Sequence, residues 1–253
     1  MLDHPDLEPD TLSYNGVLES WANSKRDEGI ERALRIWRHM ETLLEQGNTR
    51  VKPTVRTVNS IIAAYAKRIQ NLNASSEAAQ AVHGLLTEMV QRYKRTRHVD
   101  DQVDVMTYTG VMDAYARCAS LEAAELAEGV LKELKDAYRS TGTTTNNKLQ
   151  PNVRTYTSLI TAWAKTKNKK SPRRAEELLL EMKAGGDVTK PNSRSYTGVI
   201  QAWARSRDPT KPQRALRLLK VMKERSKQGD PNVHPNLIAY NAGMHVVCAC
   251  VCV

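Results

Sequence analysis

One pattern recurs along this chain at intervals of 40 to 50 residues and restricts the fold more than any other feature. The stretch SYTGVIQAWARS (Ser195–Ser206) has near-copies in SYNGVLESWANS from Ser13, TVNSIIAAYAKR from Thr57, TYTGVMDAYARC from Thr107 and TYTSLITAWAKT from Thr155. With the residue in second place as marker (Tyr14, Val58, Tyr108, Tyr156, Tyr196, then Tyr240), the intervals are 44, 50, 48, 40 and 44 residues. A unit recurring at such a period with irregular length is one supersecondary element followed by a variable loop. Its apolar face is buried by stacking on neighbours, not around a single centre.

Each copy divides into two helical segments. The first runs about a dozen residues without Pro, with apolar positions such as Val199, Ile200 and Trp203 at helical spacing. The second aligns on Met40, Met89, Leu134, Met182 and Met222. Seven residues earlier stand Ala33, Val82, Ala127, Ala175 and Ala215, with apolar residues such as Leu178–Leu179 and Leu218–Leu219 between. That spacing is one stripe of an amphipathic helix. Ser171–Pro172 reads as a cap followed by a first-turn proline, and Ser120 as a cap in the third copy. Gly185–Gly186 and Gly229 read as stops of the fourth and fifth second helices. Loops such as STGTTTNNKLQ and KRTRHVDDQ absorb the variation in length. The expectation is an all-α chain, an α-solenoid of tandem helix-turn-helix repeats forming a right-handed superhelix, with the first helices lining one face.

Composition narrows the partner. Thirty-eight Lys and Arg against 28 Asp and Glu leave a net charge of +10. That surplus suits nucleic acid or an anionic membrane surface, although a basic protein with neither partner also fits. No apolar run reaches membrane-spanning length. Cys118 reads as a small core residue, whereas Cys248, Cys250 and Cys252 alternate in a VCACVCV tail that matches neither a metal motif nor a disulfide framework. The opening MLDHPDLEPD is acidic and lacks the Arg and Ser richness of an organellar leader. It begins in mid-pattern, so the chain is expected to be part of something longer. The aromatic residues in ninth place (Trp21, Tyr65, Tyr115, Trp163, Trp203) sit among apolar neighbours and always precede Ala, which points to core packing over base stacking.

The units resemble pentatricopeptide repeats, a family of helical hairpins that bind single-stranded RNA. The residues carrying this are the [ST]-Y-[NT]-x-[LIV]-[ILM] opening, the A-x-x-L-L-x-x-M second helix and the closing Pro with Asn or Asp. Those closings stand at Pro9–Asp10, Pro53–Thr54, Val103–Asp104, Pro151–Asn152, Pro191–Asn192 and Pro235–Asn236. The resemblance places the end of an upstream repeat at 1–10 and five repeats at 11–54, 55–104, 105–152, 153–192 and 193–236. An incomplete sixth repeat with an atypical Cys-rich tail follows at 237–253. The family's repeats usually have 35 residues; these run longer, with the excess expected after the second helix.

Asn or Thr occupies third place in every copy: Asn15, Asn59, Thr109, Thr157, Thr197 and Asn241. Both are mediocre helix formers, so the recurrence needs a reason. Either the side chain bonds its own backbone early in the helix, or it offers a short donor or acceptor to a base edge. The resemblance implies the second, acting with the closing residue of the same repeat. Asn59 with Asp104 would prefer uracil. Thr109 with Asn152, Thr157 with Asn192 and Thr197 with Asn236 would prefer adenine, and Asn15 with Thr54 would tolerate pyrimidines. Read 5′ to 3′ from the first repeat, the expected site is pyrimidine–U–A–A–A. Two residues before the marker stand Leu12, Arg56, Met106, Arg154, Arg194 and Ile238, where the family wedges an aliphatic side chain against base faces. Arg can stack there as well. Eleventh place holds Asn23, Lys67, Arg117, Lys165 and Arg205. Those cations lie about 12 Å along the helix from third place, where they would meet phosphate or merely suit the helix end.

The six histidines form no catalytic or metal-binding motif, and no phosphate-binding loop occurs. The function expected is sequence-selective binding of single-stranded RNA, without catalysis, cofactor, metal or membrane. It leaves room for protein partners in a larger processing complex. The resemblance points to RNA processing, stability or translation in a mitochondrion or chloroplast. A protein-binding scaffold of tetratricopeptide type is the alternative, but such a groove has no use for a third-place Asn or Thr paired with a closing Asn or Asp.

Overall fold

The computed structural model describes residues 9–24, 28–72, 76–98, 101–140 and 147–251, and these contain helices and turns but no strand. The opening residues 1–8, parts of both long loops (99–100 and 141–146) and Cys252 with Val253 lie outside the described residues, as do the side chains of Cys248 and Cys250. The helices are α1 (Thr11–Ala22), α2 (Gly29–Glu45), α3 (Val55–Leu72), α4 (Ser76–Thr96), α5 (Val105–Cys118), α6 (Leu121–Ser140), α7 (Val153–Lys165), α8 (Ser171–Ala184), α9 (Ser193–Arg205), α10 (Lys211–Lys227) and α11 (Leu237–Val251). They form two compact units, up to Ala114 and from Tyr115 onward.

Within each unit the stacking is that of an α-solenoid. Consecutive helices pair as hairpins (α1 with α2, α3 with α4, α7 with α8, α9 with α10). First helices lie on first helices, α1 on α3 in one unit, α7 on α9 and α9 on α11 in the other. Second helices also meet the next first helix, as α2 meets α3, α6 meets α7 and α8 meets α9. The buried stripe is the one read from spacing. Ala175, Leu178, Leu179 and Met182 of α8 and Ala215 and Met222 of α10 are at most 1% exposed. Of the ninth-place aromatics, Tyr115, Trp163 and Trp203 are core residues, while Trp21 and Tyr65 are half-buried.

Helix ends follow the expected chemistry with two adjustments. Gly185 caps α8, and the next residue, Gly186, has φ of +81°, a conformation that disfavours a side chain; Gly229 repeats this at +89° beyond α10. Ser120 accepts from the Ala123 backbone at 3.1 Å, as a cap should. Ser171 does not cap α8. It is the first helical residue, and the cap position falls to Lys170, with Pro172 still in the first turn, where its missing N–H costs nothing. Cys118 is half-buried at the end of α5 instead of in the core, and partial burial pushes its thiol pKa up.

The extra repeat length does not all follow the second helix. Part of it lengthens that helix: α4 and α6 have 21 and 20 residues, against 14 for α8 in the shortest repeat. The runs RYKRT and KDAYRS contain no glycine to stop them. Whatever its length, each loop then anchors two residues before the closing pair, through buried Val51, Leu149, Thr189 or Val233. In one repeat that anchor is Asp101, fully buried. It is held by Arg92 Nε at 3.2 Å and by the Thr96 hydroxyl at 2.7 Å. A paired charge there takes the place that Val, Leu or Thr holds elsewhere.

Candidate nucleic-acid interface

The closing residues begin the next first helix. Asp10 accepts from the Ser13 backbone N–H at 2.8 Å, Asp104 from Thr107 at 2.9 Å, Asn152 from Thr155 at 3.1 Å, Asn192 from Ser195 at 3.0 Å and Asn236 from Ala239 at 2.8 Å. At Asn152 and Asn192 the Thr155 and Ser195 hydroxyls accept in return from the cap backbone, completing capping boxes. The Thr54 backbone N–H donates likewise to the Thr57 hydroxyl at 3.1 Å. Capping is a duty the sequence reading omitted, although the spacing from a closing Asn or Asp to the first-place Ser or Thr carries its signature. It also explains why first place is Ser or Thr. The cap turns Oδ1 onto the backbone, so the other end of each side chain, Nδ2 of Asn or Oδ2 of Asp, points away from it.

The first-place hydroxyl also reaches back to third place in the preceding repeat. Thr57 donates to Asn15 Oδ1 at 2.7 Å and lies 3.3 Å from the Thr54 hydroxyl. The Thr157 and Ser195 hydroxyls are 3.2 Å apart, and Ser195 donates to Asn192 Oδ1 at 3.0 Å. Thr197 meets Asn236 Oδ1 directly, at 3.4 Å. Third-place and closing residues of one repeat are thus brought together in each of these three cases, directly or across the shared first-place hydroxyl. The backbone-bonding role is met in three copies. Thr109, Thr157 and Thr197 each have a backbone carbonyl one turn earlier within 2.6–2.7 Å as acceptor, which commits the hydroxyl proton and leaves oxygen lone pairs. Asn59 differs: its buried Oδ1 makes no hydrogen bond among the described residues, a cost of about 1–3 kcal/mol unless a ligand donor satisfies it.

Fourth place sets how closely first helices stack. A Cβ on Gly198 would lie 2.8 Å from Ile160 Cγ2, and one on Gly110 would lie 2.8 Å from Ile62 Cγ2. In both cases the neighbour is the sixth-place Ile of the preceding copy. The small residue at fourth place (Gly16, Ser60, Gly110, Ser158, Gly198) was an unremarked x in the motif, and it was legible.

Two rows flank the third-place residues. Leu12 and Met106 are 72% and 48% exposed, and Arg56, Arg154 and Arg194 are exposed at the same register. Each stands three residues before a third-place residue, hence on the same helix face. Exposed Leu12, Arg56 and Met106 in the first unit, and exposed Arg154 and Arg194 in the second, are side chains suited to flat rings. The eleventh-place cations have protein partners. Lys67 donates to Asn23 Oδ1 at 3.0 Å and Arg205 to the Ala164 carbonyl at 3.0 Å, each tying a first helix to the end of the one before. Arg117 and Lys165 are half-buried at equivalent places. A lysine donates three hydrogen bonds and an arginine five, so a single tie does not exhaust either.

Ninth-place Trp residues face the second helices. Trp163 Nε1 donates to Glu128 at 3.2 Å, and Arg174 binds that carboxylate at 2.6 Å. Trp203, Glu176 and Arg214 repeat the arrangement. This inter-repeat brace supports the core-packing role and removes these rings from the candidate surface.

Comparison with known proteins completes the description. Residues 143–202 match the family model for the pentatricopeptide repeat domain. No curated protein matches. Among solved structures, the crystal structure of the pentatricopeptide repeat protein PPR10 from maize superposes with a TM-score of 0.58 at 24% identity. The match covers 94% of this chain and 27% of that one, so the chain spans about a quarter of its length.

Proposed function

We propose that this chain is a pentatricopeptide repeat protein, as the family match of residues 143–202 supports, and that it binds single-stranded RNA and selects bases through its third-place and closing residues, without catalysis. The observation that carries this is the close approach of those two residues in three repeats, beside exposed Leu12, Arg154 or Arg194. The chemistry of each pair follows from which atoms are committed. At Thr157/Asn192 and Thr197/Asn236 the hydroxyl proton goes to the backbone, so its oxygen accepts, and the cap leaves Asn Nδ2 to donate. Adenine offers the complement, an amino donor beside the N1 acceptor. At Asn59/Asp104 the second carboxylate oxygen of Asp104 accepts, which suits the imide N–H of uracil, while Asn59 Nδ2 donates to a uracil carbonyl. Asn15/Thr54 tolerates either pyrimidine. Leu12, Arg56, Met106, Arg154 and Arg194 contact base faces, and Lys67, Arg117, Lys165 and Arg205 contact phosphates. Action on organellar transcripts, in their processing, stability or translation, belongs to the same proposal.

The test is a pair of double variants, Thr157→Asn with Asn192→Asp and Thr197→Asn with Asn236→Asp, with binding read by fluorescence anisotropy on short single-stranded RNAs. Aspartate caps helices as well as asparagine does, so the fold is kept while the acceptor pattern changes. Preference at the two corresponding bases should move from adenine to uracil; an unmoved preference refutes the assignment. Four phosphate contacts predict a log–log salt slope of about −3, at roughly −0.7 per contact.

A further inference from the structure

Resting on the RNA reading above, we propose that the first-place residue of the following copy is a third determinant of base choice, whose hydroxyl fixes which end of a reading side chain faces the base. Such residues touch no base themselves. Thr57 and Ser195 are 1% and 0% exposed, so they are positioning residues that act through their neighbours. The chain supplies its own comparison. Two repeats carry the same reading pair, Thr157 with Asn192 and Thr197 with Asn236, but first place is Ser195 after one and Ala239 after the other. Both asparagines accept through Oδ1 from the first-place backbone N–H, at 3.0 Å and 2.8 Å. Asn192 Oδ1 has a further donor in the Ser195 hydroxyl at 3.0 Å. That hydroxyl also lies 3.2 Å from Thr157 Oγ1, but the carboxamide oxygen is nearer and is the stronger acceptor. At Asn236 the corresponding side chain is the methyl of Ala239. The Thr197 hydroxyl comes within 3.4 Å of Asn236 Oδ1, yet its proton has a better acceptor in the Ser193 carbonyl at 2.6 Å.

The difference bears on the rejection of guanine. Adenine presents an amino donor beside the N1 acceptor, matched by the Thr oxygen and Asn Nδ2. Guanine presents a carbonyl acceptor beside an N1–H donor, the reverse pattern, and an Asn meets that N1–H only by turning its carboxamide over. Turning Asn192 forfeits the bonds from both the Ser195 N–H and the Ser195 hydroxyl and sets Nδ2 against two donors. Turning Asn236 forfeits the Ala239 N–H bond and little else. One neutral hydrogen bond corresponds to about a two- to tenfold change in an equilibrium. The fourth base of the site should therefore exclude guanine about two- to tenfold more strictly than the fifth, although the reading pair is the same. Thr57 acts on Asn15 in the same way. It accepts from the Thr54 backbone N–H at 3.1 Å and donates to Asn15 Oδ1 at 2.7 Å, so Nδ2 is the end of Asn15 left for a base.

The test measures dissociation constants of the full chain by anisotropy on three single-stranded RNAs: one containing UUAAA, and the same RNA with guanine at the fourth or at the fifth of those bases. The variants are Ser195→Ala, Ser195→Thr and Ala239→Ser. Each places at first place a residue type the chain already uses there, since Ala239, Thr57, Thr107, Thr155 and Ser13 occupy that position in other copies. Ser195→Ala should lower the preference for adenine over guanine at the fourth base about two- to tenfold and leave the fifth unchanged. Ser195→Thr should keep the parent value, and Ala239→Ser should raise the preference at the fifth base. A merely structural role for Ser195 would weaken binding to all three RNAs alike and leave the ratios fixed, and that result overturns the proposal. The two readings fail differently. A parent chain with no adenine preference at either base overturns the RNA reading and this role with it, whereas a parent preference that Ser195→Ala leaves unmoved overturns this role alone.

Discussion

Alanine at Gly198 and at Gly129 should have opposite effects, although both glycines lie inside helices of the same unit. Replacing a mid-helix Gly by Ala gains about 1 kcal/mol from backbone entropy alone. At Gly129 in α6 the new methyl meets nothing within 4 Å, so that gain should appear in full. At Gly198 in α9 it would lie 2.8 Å from Ile160 Cγ2, closer than real contacts allow. Ile160 is fully buried and, being β-branched, has little rotamer freedom in a helix. The first helices must therefore separate, at an overpacking cost of about 1–3 kcal/mol. Subtracting the gain leaves Gly198→Ala between neutral and about 2 kcal/mol destabilised. Urea denaturation reads both, provided the m-value matches the parent chain so that the shift in midpoint reports stability alone. If the two substitutions stabilise equally, fourth place does not set the spacing of first helices, and the argument placing third-place residues against the next repeat loses its support.

Further outcomes follow from the same contacts. Asn192→Ala should cost about 1 kcal/mol through the lost cap, whereas Asn192→Asp should cost little; urea midpoints check both. Lys165→Ala with Arg205→Ala should flatten the salt slope of RNA binding from about −3 to about −1.4, with the same change on every single-stranded sequence. Burial raises the Glu41 pKa above its ordinary value, with the Arg92 charge opposing. Its contribution therefore favours the fold below the ordinary carboxylate range and is lost as pH rises through the folded value. Glu41→Gln should accordingly stabilise the chain at pH 7 and leave it unchanged near pH 3. The Thr210 hydroxyl lowers the Asp208 pKa and Lys190 lowers that of Asp230. Their stabilisation is present above the ordinary carboxylate range and lost as pH falls through the depressed values. Asp230→Asn should therefore blunt the loss of stability in acid, measured by thermal melts from pH 5 to pH 2.

The helices and their buried stripes were legible because periodicity records burial directly. Met40, Met182 and Met222, found by spacing alone, are fully buried. What escaped were features that depend on atoms meeting across repeats. Nothing in a single copy says that Glu128 will sit under Trp163 with Arg174, since the three come from α6, α7 and α8. Nor does a list of loop lengths show that 40-residue and 50-residue repeats return to the same anchor. That required seeing Asp101 buried where its counterparts are Val51, Leu149, Thr189 and Val233. The capping role of Asn152 and Asn192 was missed for another reason. The resemblance had already supplied those residues with a use, and the ordinary local one, written in the three-residue interval to Thr155 and Ser195, went unread.

Those two uses constrain each other. A closing residue must start a helix in this fold, and side chains that do so well are few: Asn, Asp, Ser, Thr and Gly. The closings present are Asp10, Thr54, Asp104, Asn152, Asn192 and Asn236, every one from that set. Because the cap consumes one oxygen, what remains for a ligand is an amide donor from Asn, a carboxylate acceptor from Asp, or a hydroxyl from Thr. Under the proposed readout, the choice of base is confined to the few hydrogen-bonding patterns that helix capping leaves over. Longer side chains such as Gln or Glu carry the same head groups but cap poorly. Exchange between Asn and Asp is therefore the substitution that changes recognition while preserving the stack.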